Sequence, residues 1–275
     1  MLTMRCRGAF ARGTRSLQIA LGVALLCLSS ACTTTTSGQP PSGVAPAPTV
    51  IELVVASDLD NMPFAGLDAE GHPIGRDVEM MAALAAQLQR PLRWRRMPFE
   101  QLLPSVEEGT VDVVCATVGI TAEREQRVDF SDAYFSTAIE VVVRRGEGEP
   151  QTWADLAGRR VGAGRGTTSE FAVRRVLPEA TGVYENKSHL GSLDRLLQKD
   201  VDGLAMDGPN ALELVGQHGD KLTLLLTPLA SERYGLVVGE GQRELTEALN
   251  AALNTLRQSG FLAELNVTWG LQPTD

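Results

Sequence analysis

The sequence predicts an α/β protein of two lobes, each a mixed, mostly parallel sheet with helices on both faces, enclosing a ligand cleft. Three observations carry this prediction. Apolar strand-like runs alternate with amphipathic helical stretches from Val50 to Val118, a βαβαβ order that requires parallel strands covered by helices. The same rhythm restarts at Trp153, and "GEGEPQT" (residues 146–152) lies between the two as a polar, hinge-like link.

In the first rhythm "VIELVVAS" is a continuous apolar run suited to a buried strand, and "RDVEMMAALAAQLQR" has helical periodicity and ends before Pro91. "LRWRRM" alternates as a half-buried strand, "FEQLLPSVEEGT" is a helix stopped at Gly109, and "VDVVCATV" and "AIEVVVRR" are strands. The second rhythm runs through a short helix "TWADLAG", strand "RRVGAG", helix "TTSEFAVRRVL", strand "GVYENK", helix "SLDRLLQKD", strand "VDGLAMD" and helix "GPNALELVGQHG". After "LTLLLTPL" and "RYGLVVGE" the chain closes in a helical stretch, "RELTEALNAALNTLRQSGFLAELNVTWG". The expected division is residues 50–145 with 235–275 in lobe 1 and 146–234 in lobe 2, preceded by a signal peptide (1–31) and a tether (32–49).

The N-terminus accounts for that signal. Arg5, Arg7, Arg12 and Arg15 precede the apolar "LQIALGVALLCL", which is too short to span a membrane, and the small residues "SSAC" follow. The four residues ending at Cys32 resemble a bacterial lipobox, with Ser29 where leucine is usual; ordinary cleavage near Ala31 is the alternative, and lipidation of Cys32 is favoured. "TTTTSGQPPSGVAPAPT" holds only small, polar, aliphatic-alanine and proline-type residues and reads as an extended tether. Removing residues 1–31, with four arginines and no acid, takes the formal charge from −9 to −13. So acidic a domain argues against a nucleic-acid partner and against a polybasic membrane patch. Cys115 would be the one cysteine left in the folded part, a small core hydrophobe with no disulfide partner.

Catalytic signatures are absent. His72, His189 and His218 sit in loop-like surroundings, and no serine elbow, H-E-x-x-H, cysteine pair or Walker loop occurs. "VGAGRG" follows a strand but spaces its glycines G-x-G-x-G, which does not make a dinucleotide site. No cofactor and no metal is expected. What "GAGRGTTSEF" does offer is a helix start: Thr167 and Glu170 are spaced as a capping box, so unpaired N–H groups would point into the cleft and attract an anion. Arg124 follows a first-lobe strand, three residues after Thr121, in what reads as a helix's first turn, where a cation is unfavourable: either Glu123 and Glu125 neutralise it or it serves something negative that visits. An arginine and a helix end converging across a cleft describe a carboxylate site, and Asp207, at the end of "VDGLAMD", suits an ammonium group.

With these residues in place, Ile51 to Gly270 resembles the bacterial family 3 solute-binding proteins, receptors of polar amino-acid ABC importers with the periplasmic-binding-protein type II fold. "GRDVEMMAALAAQL" is similar to that family's G-x-D-V-D-L-A-x-A-I-A. "MPFEQLLPSVEEGTVDVVCATVGITAEREQRVDFSDAYF" resembles its P-F-x-x-L-I-P-x-L-x-x-G-x-x-D, I-T-x-E-R and V-D-F-S-x-P-Y-Y run. "LAGRRVGAGRGTTSE" and "VDGLAMDGP" resemble its L-x-G-K-x-V-G-V-x-x-G-T-T-x-E and V-D-A-x-x-x-D-x-P. The resemblance implies that Arg124 and Thr168, beside Thr167, hold a ligand carboxylate and Asp207 its ammonium. It further implies that residues 117–119 (Thr117 and Gly119 at the ends) lend a backbone carbonyl and amide, and that Phe99 stacks on the side chain. It implies closure by hinge bending and a permease partner in the inner membrane; with the Cys32 lipobox the expected location is the periplasm, lipid-anchored, and the expected state a monomer.

Two departures bear on the ligand. The first loop, "DLDNMPF", has Asn61 and Met62 where the family has an aromatic, followed by Phe64, and Gly119 replaces a hydroxyl residue. Asp58, Asp60, Asn61, Met62 and Glu140 either line a side-chain pocket, whose acidity would favour a basic or amine-rich ligand, or are solvated loop residues. Two rivals remain: a cyclohexadienyl dehydratase-like enzyme, acting on prephenate or arogenate with Glu170 or Asp207 as its acid, and a ligand sensor uncoupled from transport.

Overall fold

A computed structural model describes residues 51–185 and 189–272; the signal, Cys32 and the tether lie outside the described residues, as do the side chains of residues 186–192. The first sheet takes β1 (Leu53–Ser57), β4 (Leu92–Arg96), β5 (Val113–Val114), β6 (Val128–Phe130) and β13 (Val237–Gly239), in the order β4-β1-β5-β13-β6. β1 is parallel to β4 and β5, and β13 is antiparallel to β5 and β6. The two-stranded β2 (Gly66–Leu67) and β3 (Pro73–Ile74) form a separate hairpin.

The second sheet is built on the ten-residue β7 (Phe135–Arg144), which pairs with β10 (Gly203–Asp207) on one side and with β11 (Leu222–Leu224) and β12 (Ala230–Tyr234) on the other. β8 (Arg160–Gly164) and β9 (Thr181–Glu185) extend it in parallel from β10. The chain therefore passes between sheets at 131–134 and at 235–236. β7, within the 50–145 span expected in the first lobe, pairs in the second sheet, and the link 146–152 follows it rather than separating the sheets.

Both faces of each sheet are covered, which is why the central strands read as unbroken apolar runs. Alternate residues of β1 divide between two cores: Leu53 and Val55 face α1 (Arg76–Gln87), α6 (Arg243–Gln258) and α7 (Phe261–Thr268), while Val54 and Ala56 face α2 (Phe99–Glu107). β5 continues the division, with Val113 in the first core and Val114 in the second; Cys115 follows into the first core, free and buried as expected of a small hydrophobe. In the second sheet Ile139, Val141 and Val143 pack toward α3 (Thr168–Val176), and Val142, Leu204 and Met206 toward α4 (His189–Leu197) and α5 (Gly208–His218).

Helix ends follow the chemistry of their residues. α1 stops with Gln89 at φ 54 and Pro91 beyond it; α2 stops at Gly109, φ 68, whose N–H returns to the Val106 carbonyl. The stretch expected as one C-terminal helix is two, because Gly260 adopts φ 81 between α6 and α7. The strand expected over 111–118 is regular only at β5: Thr117 turns the chain at φ 49, a conformation that ends a ladder. The helix expected to begin near Thr121 is a single 3₁₀ turn, Arg124–Gln126. So short a turn sums few peptide dipoles, and the cost anticipated for a cation there largely disappears.

Candidate functional site

Arg124 joins the lobes. Its guanidinium is 7% exposed and donates from Nη1 to the Gly119 carbonyl at 2.7 Å and from Nη2 to the Gly166 carbonyl at 3.0 Å, the latter in the loop between β8 and α3. Burial lowers its pKa from the usual arginine range, opposed by the charges of Glu232, Asp207 and Glu123. Arginine stays charged under such shifts, so three nearby carboxylates hold one buried cation.

The N-terminus of α3 completes the other wall. Thr167 caps the helix, its hydroxyl accepting from the Glu170 N–H at 3.3 Å and donating to the Gly164 carbonyl at 2.7 Å. The reciprocal half of the expected capping box is shifted by one residue: the Glu170 carboxylate accepts from the Gly166 N–H at 2.7 Å and from Arg174. Glu170 is thus committed to the helix start and to an ion pair, which removes it as the acid of an elimination reaction.

One cavity gathers Phe99, Arg124, Thr167, Thr168 and Asp207, five of the residues singled out in the sequence. Arg124 comes from the first lobe and the helix N-terminus and Asp207 from the second, so a cation, a helix end and a carboxylate border one cavity, a set that can recognise a zwitterion. Its floor is apolar, with Val183, Leu204 and Met206. Asp207 ends β10 and precedes α5 without capping it through its side chain.

Other expected residues lie elsewhere. Thr117 and Asn61 bond to each other at 2.8 Å, both buried, and Asn61 accepts from Asn210 of α5 at 3.0 Å, a contact across the lobes. Gly119 lends its carbonyl to Arg124, so that oxygen is already engaged. Phe64 does not reach the cleft: it is fully buried, packed edge-on against Phe135 and Tyr234 in the first core. Asp58, Asp60 and Met62 of the expected acidic pocket divide between two adjoining grooves, one sharing Phe99 and the other Met206 with the cavity. Asp58 and Asp60 line a groove with Arg96, whose charge offsets theirs; Asp60 and Met62 border a second groove with Asn210; half-buried Glu140 lies in neither. Of the histidines, His72 is exposed beside Asp68.

Two contributors escaped the sequence. Asn210 is an unremarkable first-turn residue until α5 carries it to Asn61. Glu232, 6% exposed on β12, accepts a hydrogen bond from the Thr168 hydroxyl. Only its position two before the buried Tyr234, hence on the same face of the strand, hints at burial.

Comparison with known proteins places these features in context. The model of bacterial extracellular solute-binding proteins, family 3, matches residues 53–272. Over 245 residues the chain is 29% identical to a probable histidine-binding protein of Neisseria gonorrhoeae, covering 88% of this chain and 90% of that one. Among solved structures it resembles an ancestral arginine-binding protein bound to arginine (TM-score 0.73, 29% identity, 79% of this chain and 97% of that one). It also resembles an ancestral amino acid-binding protein, AncCDT-1, described as a precursor of cyclohexadienyl dehydratase (TM-score 0.71, 25% identity, 79% and 94%).

Proposed function

The chain belongs to the bacterial extracellular solute-binding proteins, family 3, and from that premise we propose that it captures an amino acid or a related amine for an ABC importer by closure of its two lobes. The observation that carries this reading is the cavity in which Arg124 of the first lobe meets the start of α3 and Asp207 of the second. Each lobe supplies part of the charge pattern, so the site is complete only when they meet. Asn61 with Asn210, and Arg124 with Gly166, then hold the closed arrangement. The relatives named as histidine- and arginine-binding support a polar, nitrogen-rich ligand.

Delivery requires a permease that receives the ligand at the membrane, and Cys32 with its seventeen-residue tether, Thr33 to Thr49, suits a lipid anchor holding the domain at the envelope. Cys32→Ser should release the protein from the membrane fraction; retention there would remove the anchor. Ligand capture is tested by a thermal-shift screen of the twenty amino acids and common amines. A specific ligand at a hundred times its Kd adds about 2.7 kcal/mol to stability, a clear rise in Tm. No shift with any of them would overturn the reading.

A further inference from the structure

The Thr168 hydroxyl, which the family resemblance gives to a ligand carboxylate, is taken by a carboxylate of the chain itself. Thr168 stands in the wall between the cavity and an adjoining groove, and Glu232 lies in that groove. Its Oε1 accepts the Thr168 hydroxyl proton.

Gly119 is what makes room for this. A Cβ built on Gly119 would lie 2.6 Å from Glu232 Oε1 and 2.6 Å from Thr168 Cγ2, closer than atoms approach. The backbone cannot easily move away, because Gly119 bridges to Tyr234 and the Ile120 N–H donates to the Arg233 carbonyl at 2.8 Å. β12 is itself registered on β7, with Glu232 opposite Thr137. A side chain at 119 would require the Glu232 carboxylate to swing aside and Thr168 to shift, so Gly119 leaves open the space that Glu232 fills.

The charge consequence is specific. Glu232 joins Asp207 and Glu123 in acting on Arg124, and of the three its influence is the largest. A ligand carboxylate approaching Arg124 and Thr168 meets a hydroxyl already donated and a resident negative charge. An ammonium or guanidinium group is attracted by the same acids, which offset the repulsion it meets from Arg124.

We propose that Glu232, admitted by Gly119, sets the charge preference of the cleft, turning it against ligand carboxylates and toward cationic amines. This rests on the reading of the cleft as an amino-acid or amine site and specifies its ligand class. Glu232 is a specificity-determining residue that acts through Thr168 and Arg124 rather than by lining the main cavity.

Paired probes test it: L-arginine with agmatine and L-histidine with histamine, each pair differing by one carboxylate, measured by calorimetry. Wild-type protein should bind the amine of at least one pair tenfold or more tightly than the amino acid. Glu232→Gln keeps an acceptor for Thr168 but removes the charge, and should shift the amino-acid-to-amine affinity ratio at least tenfold toward the amino acid. Glu232→Ala should shift it the same way, and circular dichroism verifies that each variant is folded. A merely structural glutamate would weaken both members of a pair alike; an unchanged ratio in both variants overturns the proposal while leaving the cleft a binding site. Failure of all four probes to bind any of the proteins overturns this proposal, and the amino-acid or amine reading falls too only if the wider thermal-shift screen is also blank.

Discussion

Arg76 and Arg124 are both buried arginines in the first lobe, yet their surroundings assign them opposite work. Arg76 is fully buried and saturated by the fold: it donates to Asp77 at 2.9 Å, to Asn266 at 3.1 Å and to the Tyr134 carbonyl at 3.2 Å, and lies over the Tyr134 and Phe135 rings. Asp77 in turn accepts from the Tyr134 hydroxyl at 2.8 Å. These partners tie α1 to α7 and to the segment that enters β7. Arg124 has two neutral carbonyl partners, one on each lobe, and it borders a cavity. An arginine whose donors are consumed within one lobe fastens that lobe. One whose partners straddle a cleft is placed to respond to what enters it.

Substitutions can break that contrast. Asp77→Ala should have the largest effect on folding, because it leaves Arg76 charged and buried without its counter-ion; a loss of about 3–5 kcal/mol is expected in urea unfolding. A loss below about 1 kcal/mol would show that Arg76 finds other partners. Gly119→Ala should act on closure rather than folding. The added methyl presses on Glu232 and Thr168 at the meeting of the lobes, so ligand affinity should fall about tenfold, or about 1.4 kcal/mol, with scattering showing a more open molecule. Unchanged affinity and dimensions would mean that the contact yields without separating the lobes.

The smallest effect is expected at Glu140, which faces neither region. Burial alone raises its pKa above the usual glutamate range, so the ionised form opposes folding at neutral pH. That penalty is absent below its unfolded pKa of about 4.3 and grows as pH rises through the folded value. Glu140→Gln should therefore raise Tm at pH 7 by about 1–2 °C and leave it unchanged near pH 4. A rise of the same size at both pH values would assign the effect to packing instead.

Much of the frame could be read from local chemistry. The apolar runs of β1 and β7, the stop of α2 at Gly109 and the Thr167 cap of α3 each depend on residues close in sequence, and each is found. That Arg124, Thr168 and Asp207 border one cavity is legible because strand ends in α/β sheets face the cleft. Where expectation and structure part, distant residues decide. Phe64 looked like a loop aromatic available to a ligand, but Phe135 and Tyr234 enclose it. The 3₁₀ turn at Arg124 replaces a helix because Val128–Phe130 enters the first sheet only two residues later. Glu232 meets Thr168, 64 residues away in the chain, through a packing relation that no periodicity or motif encodes. The missing side chain of Gly119 was visible as a departure, but its cause lies on another strand.

The central claim, that Arg124 serves the ligand while Arg76 serves the fold, is tested most directly by calorimetry and urea unfolding of Arg124→Ala beside the wild type. The expected result is loss of at least a hundredfold in affinity for whichever carboxylate-bearing ligand the screen identifies, with unfolding free energy within about 1 kcal/mol of the wild type. Normal binding of that ligand by Arg124→Ala, or a destabilisation as large as that of Asp77→Ala, would contradict it.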